Sequence, residues 1–81
     1  MSREEFKMFI ETIGFEYAVS FNNIERHDFY NDGYNYKEYR IELYNNYYDF
    51  YNGSGWCYYG FNNISPLIKF YRSYKLKKIL G

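Results

Sequence analysis

Thirteen tyrosines in 81 residues are the most unusual chemical resource of this chain. Tyr36, Tyr44, Tyr47 and Tyr51, with Arg40 among them, fall where alternating side chains predict strands, so they are expected on one sheet face. Such a face has two uses. Tyr and Arg are favoured anchors at protein interfaces, because each joins a large contact area to a polar handle. Aromatic rings also stack single-stranded bases, at about 1–3 kcal/mol per base. Against both stands a plainer account: the rings shield one another in cross-strand pairs. An AT-rich genome also enriches Phe, Tyr, Asn, Ile and Lys, which make up just over half of the chain.

A second resource is charge. The formal net charge is zero, but residues 66–81 hold Lys69, Arg72, Lys75, Lys77 and Lys78 with no acid, a sum of +5, and residues 1–65 sum to −5. The basic segment suits phosphate contacts. It suits equally a solvated helix face that complements the helix dipole. The acidic body fits a protein partner of opposite charge.

Catalytic and metal chemistry find little footing. His27-Asp28 pairs the one histidine with a carboxylate, but adjacent strand residues point to opposite faces, and His27 reads as a surface residue in a loop or edge strand. Cys57, in Trp56-Cys57-Tyr58-Tyr59, reads as a small buried hydrophobe. No His/Cys/carboxylate cluster has metal-ligand spacing, and no cofactor motif is present. Asn52-Gly53-Ser54-Gly55 lacks the strand–loop–helix context of a phosphate loop and reads as a hairpin turn. The chain is therefore expected to be a non-enzyme.

The elements that must position these residues begin with a helix over about 3–13. Ser2 and Glu5 make a capping box, Phe6, Phe9, Ile10 and Ile13 form one apolar stripe, and Gly14 supplies the C-cap. From Phe15 the period becomes two: Tyr17, Val19 and Phe21 read as the buried side of a half-buried strand. Asn22-Asn23 is a turn, Ile24 to Tyr30 has a weak strand pattern, and Asn31-Asp32-Gly33 turns again. Tyr34 to Tyr44, Tyr47 to Tyr51 and Trp56 to Phe61 read as three consecutive strands joined by short polar loops. Ser65-Pro66 starts a second helix, with Ser65 as N-cap. Leu67, Phe70, Tyr71 and Tyr74 share its inner face, with Lys69, Arg72 and Lys75 opposite. Leu76, Ile79 and Leu80 leave that stripe, so the helix either breaks near Tyr74 or packs on something else, a second copy included.

The fold expected is one α+β domain over 1–81: an antiparallel meander of three to four strands flanked by an N-terminal and a C-terminal helix packed on one face. A single Cys excludes an intramolecular disulfide framework. No apolar run approaches the roughly 18 residues of a spanning helix, and Ser2-Arg3-Glu4-Glu5 does not read as a signal peptide.

The block Tyr44-Asn45-Asn46-Tyr47-Tyr48-Asp49-Phe50-Tyr51-Asn52-Gly53-Ser54, followed by Ile64-Ser65-Pro66-Leu67 and the Lys-rich end, resembles small accessory proteins of phages infecting low-GC Gram-positive bacteria. The run from Glu5 to Phe15 has the same character. The resemblance implies action in the bacterial host cytoplasm and inhibition of a host defence protein, as anti-CRISPR proteins dock on an effector nuclease. It carries no active-site pattern. The leading expectation is a binding protein that occupies a host protein surface through Tyr36, Arg40, Tyr44, Tyr47 and Tyr51. The alternatives are a nucleotide or single-strand binding module, with bases on the tyrosines and phosphates on Lys69, Arg72 and Lys75, and a self-associating structural protein.

Overall fold

The computed structural model describes residues 1–29 and 39–80, the side chains of residues 77, 78 and 80 excepted. In chain order the elements are α1 (Arg3–Thr12), β1 (Glu16–Phe21), β2 (Ile24–Phe29), β3 (Tyr39–Leu43), β4 (Tyr47–Tyr51), β5 (Trp56–Gly60) and α2 (Ser65–Leu80). The strands form one antiparallel sheet in the order β1-β2-β3-β4-β5. The α+β meander is therefore as expected, with five strands rather than three to four, because Ile24–Phe29 pairs on both sides.

The capping box of α1 is formed: Ser2 Oγ accepts the Glu5 N–H at 3.1 Å and Glu5 Oε1 accepts the Ser2 N–H at 2.8 Å. Gly14 ends the helix at φ +114°, and a Cβ there would lie 2.8 Å from the Phe29 ring. Only glycine fits both demands. At the other end of the chain, Ile64 rather than Ser65 caps α2: its carbonyl accepts from the Leu67 and Ile68 N–H groups. The helix then runs unbroken to Leu80, with Leu76 and Ile79 exposed to solvent. Their departure from the inner stripe breaks no helix, because Lys, Leu and Ile all tolerate helical backbone without tertiary support.

Phe6 and Ile10 of α1, Leu67 of α2, and Ile13, Phe15 and Phe61 close the core over Phe29, Ile41, Leu43, Tyr48 and Phe50 of the sheet. Aromatic contacts dominate it. Phe6 stacks on Tyr48 at 4.4 Å, and Phe70 of α2 meets Phe15, Phe29, Tyr39 and Phe50 within 5.9 Å. Tyr48 is fully buried, and its hydroxyl donates to the Asn63 carbonyl at 2.6 Å. Rings supply what the scarce aliphatic side chains cannot, since each buries about 150–250 Å².

Two expectations about strands fail on the same side of the sheet. Tyr17, Val19 and Phe21 do not share a buried face. The register shifts between Tyr17 and Val19, so Tyr17 stands opposite His27 on the helix side while Val19 and Phe21 stand opposite Arg26 and Ile24 on the other. This bulge lies on an edge strand, and every residue of β1 is exposed. His27, expected at the surface, is fully buried, because β2 is an inner strand and His27 pairs with Ile41. Its Nε2 meets Glu25 Oε1 at 3.2 Å, and Lys7 Nζ meets the same oxygen at 3.2 Å. Arg3 completes the cluster, 3.7 Å from Glu25 Oε2.

Candidate interaction surface

Helices cover one face of the sheet, and among the described residues no element covers the other. The registers define rows of side chains across that open face. One row runs Glu16, Asp28, Arg40, Tyr51, Trp56, and the next runs Val19, Arg26, Glu42, Asp49, Tyr58. Tyr47, opposite Gly60, lies one step further along β4.

Aromatic side chains occupy the two ends of this surface. At one end the rings of Tyr44 and Tyr47 stack at 4.6 Å, and Tyr58 meets Tyr47 edge-on at 5.9 Å. At the other, Tyr51 packs on Trp56 at 5.2 Å. Two-residue turns hold both groups in place. Tyr44 N–H donates to the Tyr47 carbonyl across Asn45-Asn46 at 2.9 Å. Asn52 Oδ1 accepts the backbone N–H groups of Ser54 and Gly55 and the Ser54 hydroxyl, with Gly53 at φ +96°. Such side-chain-to-backbone bonds are why Asn and Gly favour these positions.

Charge fills the middle. Arg26 donates from Nε and Nη2 to the two oxygens of Asp28, at 3.0 and 3.2 Å. Arg40 Nε lies 3.8 Å from Asp28 Oδ1 on the other side. Asp28 is buried although it belongs to the open face. Glu42 accepts a hydrogen bond from the Tyr44 hydroxyl at 3.1 Å. Burial and then this carboxylate push the Tyr44 hydroxyl up to about 12. Carboxylates thus outnumber guanidinium groups across the rows, and the exposed cations among the described residues lie on α2.

Of the residues expected at a binding face, Arg40, Tyr44, Tyr47 and Tyr51 come together here, while Tyr36 lies outside the described residues. Lys69, Arg72 and Lys75 are exposed on α2, in the layer on the opposite side of the sheet, with Lys75 Nζ 5.0 Å over the Tyr71 ring. The side chains of Lys77 and Lys78 lie outside the described set. The tyrosines and the basic helix therefore do not share a surface.

Sequence reasoning missed Trp56 and Tyr58. The alternation of Trp56, Tyr58 and Gly60 against Cys57 and Tyr59 carries the signal, but an apolar run of five gives no indication of which side faces water. Cys57, expected to be buried, is exposed, because β5 is an edge strand.

Among the described residues no helix is long and apolar enough to cross a membrane. Comparison with family models, curated proteins and solved structures finds no match for the chain, so the functional reading rests on this geometry.

Proposed function

We propose that this is a non-catalytic binding protein whose open sheet face docks on another protein. In this reading it acts as a phage- or mobile-element-borne inhibitor in the host cytoplasm. It occupies the nucleic-acid or partner surface of a host defence effector, a CRISPR effector being the foremost candidate. One observation supports the reading above the rest: two rigid aromatic groups, Tyr44–Tyr47–Tyr58 and Tyr51–Trp56, flank the carboxylates of Glu42 and Asp49 on one exposed face. Preordered rings give contact area at low entropic cost, and carboxylates between them complement a basic channel that otherwise holds phosphates.

A nucleotide-binding module needs its rings and its cations to converge on one ligand. Here Lys69, Arg72 and Lys75 lie across the sheet from the tyrosines, and Arg26 and Arg40 are turned to Asp28. That separation favours the protein-docking reading.

The test uses the tagged protein as bait in bacterial lysate at low salt, beside a Glu42→Lys/Asp49→Lys variant with an unchanged circular dichroism spectrum. The expected result is a nucleic-acid-processing protein retained by the wild type, released by salt, and absent from the variant. A wild type that recovers no protein overturns the reading. A change in Tyr and Trp emission on titration with short single strands or cyclic nucleotides favours the nucleotide-binding alternative instead.

A further inference from the structure

The outward side of α2 combines charge with apolar surface. Among the described side chains the core takes Leu67, Phe70, Tyr71 and Tyr74 from this helix, all on its inner side. Lys69, Arg72, Leu76 and Ile79 follow one another at helical spacing and form one stripe facing away from the core. Leu76 and Ile79 are 56% and 80% exposed. Lys75 flanks the stripe with its Nζ over the Tyr71 ring, and the sequence of α2 contains no acid.

Beside the cations the surface dips. Ser65, Ile68, Lys69, Arg72 and Ser73 line an open hollow of about 520 Å³, where two hydroxyls accompany an ammonium and a guanidinium group. That donor set suits a phosphodiester. A second copy packed on this stripe would bring more cations and no acid from its own α2. A nucleic-acid strand satisfies the cations, but it offers no apolar surface to Leu76 and Ile79, and the stripe has no ring on which a base stacks. A protein groove takes an apolar stripe along the length of a helix, whereas here the aliphatic pair occupies one end. Charge comes first along the axis and apolar surface last, with Lys69 and Leu76 separated by about 10 Å of helical rise. An anionic bilayer presents phosphate and then hydrocarbon in that order.

We propose that α2 docks obliquely on an anionic lipid bilayer, with Leu76 and Ile79 entering the boundary between headgroups and acyl chains and Lys69, Arg72 and Lys75 on the phosphates. The hollow beside Lys69 and Arg72 receives one headgroup phosphate, with Ser65 and Ser73 as further hydroxyl donors. The helix lies on the membrane and does not cross it, since among the described residues no helix is long and apolar enough to span one. The open face lies across the sheet from α2, so a protein docked there and a bilayer under α2 do not compete. Membrane attachment therefore stands or falls independently of what the open face binds.

Vesicle co-sedimentation of the full chain provides the test. At low salt the chain is expected to bind vesicles of phosphatidylcholine carrying about 30 mol% phosphatidylglycerol, and not vesicles of phosphatidylcholine alone. Added salt should release it. Lys69→Gln/Arg72→Gln should weaken partitioning by roughly 25-fold, about fivefold for each cation. Leu76→Ser/Ile79→Ser, at exposed positions outside the core, should keep the circular dichroism spectrum and weaken partitioning by about tenfold or more. Tyr47→Ala, on the open face, should leave it unchanged. A wild type that ignores the anionic vesicles overturns the proposal. So does binding unchanged in Leu76→Ser/Ile79→Ser, and so does a single-stranded oligonucleotide that binds through the same cations and displaces the vesicles, because the face then serves polyanions.

Discussion

The rings of Tyr44 and Tyr47 lie 4.6 Å apart and within 4° of parallel, on either side of a two-residue turn. The backbone bond from Tyr44 N–H to the Tyr47 carbonyl and the side-chain bond from the Tyr44 hydroxyl to Glu42 hold the pair in this arrangement before any partner arrives. In the proposed docking, a face so ordered loses little entropy. Tyr47→Ala is therefore expected to weaken partner binding by tenfold or more, about 1.4 kcal/mol or above, measured calorimetrically once the partner is in hand. Tyr47 is itself 39% exposed, so thermal unfolding should report a stability loss of only about 1 kcal/mol. A loss of several kcal/mol would make the ring structural instead.

Glu42 also governs the protonation of Tyr44. Burial comes first and the adjacent carboxylate second in raising that hydroxyl from 10.0 to about 12. Glu42→Gln keeps the burial and removes the charge. In an alkaline titration followed by ring-carbon NMR, the Tyr44 midpoint should drop in the variant and still stay above 10.0. An unchanged midpoint would mean that the hydroxyl does not face Glu42 in solution.

At the end of α1, Gly14 meets two requirements at once: a left-handed backbone and a close approach to the Phe29 ring. Gly14→Ala must distort both, and it is expected to cost about 1–3 kcal/mol in chemical denaturation. The loss should shrink when Phe29 is shortened to Leu in the same chain, because one of the two clashes is then relieved.

In the core, Tyr48→Phe keeps the ring stacked on Phe6 and deletes the hydroxyl that donates to Asn63. The expected loss is about 1–3 kcal/mol, the cost of leaving a carbonyl without its donor. Phe6→Ala, which opens a cavity at the same place, should cost more, about 3–5 kcal/mol.

How far the sequence alone carries differs by element. Ser2-x-x-Glu5, the Phe6–Ile13 stripe and Gly14 each state one local requirement, and the structure meets all of them. Alternation in 39–44 separates Tyr39, Ile41 and Leu43 from Arg40, Glu42 and Tyr44, and that separation also stands. What failed depends on position in the sheet. A bulge at β1 has no signature in a run of alternating residues, so Val19 and Phe21 point the unexpected way. His27 and Cys57 were assigned by residue type, yet an inner strand buries the histidine and an edge strand exposes the cysteine. The tyrosine face was legible from spacing, whereas its Trp56 and Tyr58 members needed the β4–β5 register.

The cluster beneath that sheet contributes to the pH dependence of stability. Glu25 is drawn in two directions: partial burial raises its pKa, but hydrogen bonds from Lys7 and His27 and the charge of Arg3 prevail and hold it below 4.5. A carboxyl depressed in the folded state binds fewer protons there than in the unfolded chain. Its contribution is therefore complete above 4.5 and disappears as the pH falls through the folded value. Lys7 is the mirror case, held above 10.5 first by its hydrogen bond to Glu25, so its contribution is complete below 10.5 and is lost as the pH rises through the raised value. Glu25→Gln removes the first effect and weakens the second, to which Glu4 and Glu11 also contribute. Near neutrality it should cost about 1–3 kcal/mol, as expected for hydrogen bonds to a charged group. The difference between wild type and variant, followed by thermal melts from about pH 7 down to about pH 3, should narrow only below 4.5. Glu5, also held low by its bond to the Ser2 backbone, is present in both chains and cancels from that difference. A difference constant across the whole range would show that Glu25 contributes shape rather than charge, and the link from Lys7 to His27 would then have no role in stability.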